Sequence, residues 1–157
     1  MKEETVRRFF QGQLSAHDLE ADVAGSVESH VDAAGVRLSK HRITDMDEQF
    51  TVTPAHLIAL VDATIAGELS LEALDAIAFC LVASDRFDWD ADVPPADRIP
   101  EALFVLGSAE IHYPLTETVL RKVRHYLVTG DDTLSKSDRE GEAPFRETEQ
   151  TKVWDGV

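Results

Sequence analysis

Two helical stretches of this chain stop on the same phrase, and that repetition constrains the fold more than any other feature. Gly12-Gln13-Leu14-Ser15-Ala16-His17-Asp18-Leu19 and Gly67-Glu68-Leu69-Ser70-Leu71-Glu72-Ala73-Leu74 share a glycine, a leucine, a serine and a final leucine at equal spacing. Each part has a local job. Glycine takes the left-handed position that ends a helix, serine caps the exposed N–H groups of the next helix, and the leucine between them packs into the turn. The phrase therefore predicts two antiparallel helical hairpins. Two copies do not make a solenoid, which needs three or more stacked units.

The rest of the chain fits a helical protein built around these hairpins. Val6, Phe9 and Phe10 give a first helix over residues 2–11, and Leu19, Val23 and Val27 carry a second from Ser15 to about His30. Thr53-Pro54 opens a third helix with a cap and a proline at its first position, and the helix ends at Gly67. Ser70 starts a fourth whose segment Leu71–Val82 is apolar nearly all round, which places it at the centre of the core. A fifth runs from about Ala96 to Leu106, and a sixth from Thr116 to Gly130 carries a basic outer face. Residues 32–53 lose all periodicity and read as a connector, with one short strand pair as the alternative to plain loop. We thus expect an all-α bundle of about six helices in one domain, residues 1–130. An acidic, poorly ordered tail over 131–157 follows, in which Phe145 and Trp154 remain able to dock.

Charge narrows the function. Thirty acidic residues against fifteen lysines and arginines give a formal charge of −15 in 157 residues. Such a surface repels phosphate backbones and argues against direct nucleic-acid binding, while favouring a cationic partner or simple solubility. The N-terminal Met1-Lys2-Glu3-Glu4 lacks an apolar signal core, no window reaches the ~18–20 apolar residues of a membrane span, and the single cysteine, Cys80, allows no internal disulfide. A cytoplasmic protein of bacterial type is expected, with a homo-oligomer as one option.

Signals of chemistry are weak. Asp88-x-Asp90-x-Asp92 opens like a calcium loop, but Val93 stands where the tight turn needs glycine and Ile99 where a bidentate glutamate belongs. The six histidines show no metal-ligand spacing, and Cys80 sits in an apolar run that marks a core thiol. Neither a phosphate loop nor a nucleophile elbow occurs. We assign no catalytic residue, no metal ligand and no cofactor. The region that stands out is the loop Asp85-Arg86-Phe87-Asp88-Trp89-Asp90-Ala91-Asp92. There Asp85, Asp88, Asp90 and Asp92 supply steering charge and Trp89 a large apolar anchor, and these five are the candidate partner-binding residues. Phe87 reads more readily as a core residue, and for Trp89 the two readings balance.

The segment Phe9-Phe10-Gln11-Gly12-Gln13-Leu14-Ser15-Ala16-His17-Asp18-Leu19 resembles the opening of the colicin D-type bacterial immunity family over about the first thirty residues. That resemblance implies a small helical protein that inhibits a cognate toxin, often an RNA-cleaving nuclease, by covering its basic active site with acidic side chains. The acidic loop is matched to that role by its charge density and not by any family motif, and the long connector and the tail depart from the family. Two rival expectations stand beside it. One is an enzyme with a dispersed site drawn from His56, Asp62, Asp85 and His112; the other is a self-associating structural or regulatory domain.

Overall fold

A computed structural model describes residues 1–108 and 113–139 of the chain. The molecule is mainly helical. Seven α-helices are present among the described residues: α1 (Glu3–Phe10), α2 (Ala16–Ala24), α3 (Pro54–Ile65), α4 (Leu71–Ala83), α5 (Ile99–Gly107), α6 (Glu117–Thr129) and α7 (Lys136–Arg139). None is long and apolar enough to cross a membrane.

The repeated phrase folds twice in the same way. Gly12 and Gly67 take φ +72° and +77°, and the residue after each sends its N–H back five residues, Gln13 to the Arg8 carbonyl and Glu68 to the Ala63 carbonyl. Ser15 Oγ then accepts the Asp18 N–H and Ser70 Oγ the Ala73 N–H, both at 3.1 Å. The helices flanking each turn touch, α1 on α2 and α3 on α4. The two staples differ in depth: Leu69 is buried, whereas Leu14 is half-buried against the core.

α4 lies where its apolar sequence predicts, in contact with α2, α3 and α5, and α6 packs along α3. Leu57, Leu60 and Val61 of α3, Leu74, Ile77 and Leu81 of α4, Ile99, Leu103 and Leu106 of α5, and Leu127 of α6 are almost wholly enclosed. Phe79 and Val82, counted in the apolar run of α4, nevertheless face outward. Thr116 caps α6 by accepting the Val119 N–H, and Gly130 closes it in the left-handed conformation. The fifth helix begins later than its periodicity suggests: a 3-10 turn over Ala96–Arg98 precedes α5, with Pro100 in the first turn, where its missing N–H costs nothing.

Two small sheets correct the all-α expectation. α2 does not continue to His30 but stops at Ala24. Ser26 turns the chain, its N–H and Oγ both donating to the Val23 carbonyl. β1 (Val27–Val31) then pairs antiparallel with β2 (Arg37–His41). Asp32 makes the reversal, since its Oδ1 accepts the N–H groups of Ala34 and Val36, and Gly35 takes φ +82°. The connector thus holds half of the hairpin, and the other half comes from residues read as helix. In the second sheet β3 (Phe50–Thr51) runs parallel to β4 (Phe87–Asp88), so the acidic loop is in part a strand.

Beyond Asp131, Leu134 packs against the core and Asp138 of α7 bonds Lys122 of α6 at 2.8 Å. Phe145 and Trp154 lie outside the described residues.

Candidate functional site

The segment 85–92 is held to the core by an apolar pin and a short ladder. Phe87 is buried, with its ring edge-on to Phe10 and Phe50 at centroid distances of 6.3 and 6.1 Å. His56 completes the cluster, stacked on Phe10 at 4.8 Å. Its Nδ1 accepts the Thr53 N–H at 3.0 Å, closing a capping box at the start of α3. Enclosure among these rings pushes the imidazole pKa below its ordinary value, because burial penalises the charged form.

Around Phe87 the ladder fixes the backbone. The Phe50 N–H donates to the Arg86 carbonyl and the Val52 N–H to the Asp88 carbonyl, both at 2.8 Å, and Gln49 Nε2 donates to the Asp85 carbonyl. With Phe87 turned inward, alternation along the strand turns its neighbour Asp88 out. Asp85, Asp88, Asp90 and Asp92 are all exposed, and Trp89 is half-buried with one side against the core. No salt bridge among the described residues involves any of these four aspartates. Asp90 Oδ1 accepts the Asp92 N–H, a local turn.

The pairing of β3 with β4 also brings a second acidic segment to this edge. Asp45 and Asp85 line a common cavity of about 360 Å³, together with Ser84, Arg86 and Glu3. Glu3 is the residue that sequence reasoning missed. It opens α1, is wholly buried, and accepts the Met46 N–H through Oε2 at 2.9 Å, while its Oε1 has no hydrogen-bond partner. A glutamate in the first turn of a helix is ordinarily a solvated complement to the helix dipole, so nothing local distinguishes this one. The Glu3 N–H bonded to the Thr44 carbonyl shows the cause, a tertiary clasp between the N-terminus and residues 44–46.

The other candidate chemistries disperse. Cys80 is buried and its thiol is pushed up to about 12, by burial first and then by the negative charges of Glu3 and Asp45, so it stays protonated near neutrality. Asp62 is paired with Arg124, His56 stands in the aromatic cluster, and Asp85 lines the acidic cavity. His112 lies outside the described residues. A second cavity, of about 400 Å³, lies between α2, α4 and the β1–β2 hairpin, and contains none of the three. No group of three or more His, Cys, Asp or Glu among the described residues is arranged to hold a metal ion.

The chain matches no protein-family model, no curated protein and no solved structure.

Proposed function

We propose that this chain is a non-catalytic acidic binding domain that captures a cationic protein. The contact runs along Asp85, Asp88, Trp89, Asp90 and Asp92, on a frame we read as antiparallel helical hairpins. One observation carries the reading. Four exposed carboxylates stand on a segment pinned from beneath by Phe87, the β3–β4 ladder holding the backbone from Asp85 to Asp88, with Asp45 brought alongside and none of the four bonded to a described cation. Charges held in place without local neutralisation raise the rate at which an oppositely charged surface docks, and a half-buried tryptophan slows its release. The finer form of the proposal is an immunity protein that masks the basic active site of a nuclease-like bacterial toxin.

The test is association with a fluorescent oligolysine peptide followed at rising ionic strength. We expect binding that weakens steeply with salt, and an Asp88→Asn/Asp90→Asn double variant whose association at low salt is slower by about tenfold with an unchanged fold. Equal association of variant and parent removes this edge as the contact. For the finer form, the reading frame beside this chain's gene is expressed alone and together with it; growth arrest relieved by co-expression supports an immunity role, and no arrest removes it.

A further inference from the structure

Beneath the acidic edge, Glu3 has one oxygen satisfied and one not. Leaving a buried carboxylate oxygen without a donor costs far more than one ordinary hydrogen bond contributes, so the arrangement favours any donor that reaches it. Glu3 forms part of the wall of the 360 Å³ cavity whose other acidic and basic residues are Asp45, Asp85 and Arg86, three acids to one base in all. We propose that this cavity receives an alkylammonium group, the side chain of a partner lysine, with Glu3 Oε1 as the acceptor and Asp45 and Asp85 flanking the charge. The inference rests on the cationic-partner reading and gives it a docking point.

Three features select this ligand. The carboxylates are not grouped closely enough to hold a metal ion, so the fitting cation is one that brings its own length. Ile43 and Ala83 supply apolar wall beside the acids, and a lysine stem lies against such a surface while its head meets charge. Arginine fits less well, because its planar fork seeks both oxygens of a carboxylate and Glu3 Oε2 is already taken by the Met46 N–H. A compact ammonium needs only the one that remains.

Amide-resolved NMR titration of the whole chain with n-butylammonium, n-butanol, methylguanidinium and the oligolysine peptide tests this. Butylammonium is expected to move the amides of Met46 and of residues 84–86, with butanol leaving them in place. Asp45→Asn should weaken the effect about tenfold, the size of one lost charge-assisted contact, and Glu3→Gln should abolish it. Since Glu3→Gln alters a buried group and risks the fold, Asp45→Asn and Asp85→Asn, both at exposed residues, carry the decision if it fails to fold. The proposal is overturned if butanol acts like butylammonium, if methylguanidinium binds as well or better, or if butylammonium shifts spread over the whole acidic surface. Oligolysine binding at Asp88 and Asp90 with an unresponsive cavity also overturns it and leaves the function reading standing. Butylammonium bound in the cavity with no peptide binding removes the protein-binding reading and the partner lysine with it, and leaves a site for a free amine only.

Discussion

The outer face of α6 and the edge formed by residues 85–92 are both rich in charge, yet they use it in opposite ways. On α6, Arg121 pairs with Glu117 one turn back, Lys122 with Asp138 of α7, and Arg124 with Asp62 of α3. Arg98 reaches the same helix from the other end and donates to the Leu127 and Val128 carbonyls at 3.0 Å, satisfying groups that the helix terminus leaves open. The basic face expected from the sequence is thus paired with an acid of its own first turn and with acids from two neighbouring elements. Along the edge, four aspartates stand without such a partner among the described residues, although Arg86 is close by in the same cavity wall. A chain with half as many bases as acids has joined several of its bases to the helices, and the acids of this stretch are among those left without one. Even charge spread for solubility would not require Phe87 and a strand ladder beneath the acids.

That contrast is broken most severely at the pin. Phe87→Ala removes a buried ring packed on Phe10 and Phe50 and opens a cavity under the ladder, for which we expect a loss of about 3 to 5 kcal/mol in urea unfolding. Any variant that stays folded should also lose the ordered acidic edge and its salt-sensitive association. A loss below about 1 kcal/mol would mean that the aromatic cluster is not the foundation of the edge.

The same cluster gives a pH dependence of known sign. The folded state holds His56 below the ordinary histidine pKa of 6.5, while in the unfolded chain the ring titrates near that value. As pH falls through that value the unfolded chain takes up a proton that the folded chain resists, so stability declines with acid and levels off once the folded ring titrates too. Near neutrality and above, His56 contributes no pH dependence. His56→Gln keeps a capping-box acceptor for the Thr53 N–H and removes the titration. Its urea midpoint should therefore fall less than the parent's between neutral and mildly acidic pH. Identical slopes would show that burial of the ring leaves its protonation unaffected.

How much of this was legible in the sequence follows from the range of the interactions. Gly12, Ser15, Gly67, Ser70, Thr116 and Gly130 act on backbone groups within a few residues, and the turns they announce are all present. The β1–β2 hairpin was hidden because Val27 continues the spacing of Leu19 and Val23, and because its strands are mostly exposed and carry no apolar alternation. The signal that was there is Asp32 followed by Gly35, an Asx turn ahead of a left-handed glycine. For the candidate site, the exposed acids were legible as composition. Their pairing with residues 45–51, the inward turn of Phe87 and the burial of Glu3 depend on contacts between residues some forty apart, such as Met46 with Glu3, which no local pattern encodes.

The smallest effect is expected on the paired face, and it is the sharpest control. Asp62→Asn removes the partner of Arg124 from a bridge in which both side chains remain more than two-fifths exposed. The carboxylate holds the Arg124 pKa above its ordinary value, by hydrogen bonding first and then by charge, but water already screens both groups. We expect no resolvable change in the urea midpoint and none in oligolysine association, at any salt concentration. If Asp62→Asn slowed association as much as the Asp88→Asn/Asp90→Asn pair, attraction would follow total charge and not its placement. The division between a neutralised face and an anionic edge would then have no functional meaning. If only the edge variants respond, the position of the carboxylates, set by a buried ring and two residues of strand, governs capture.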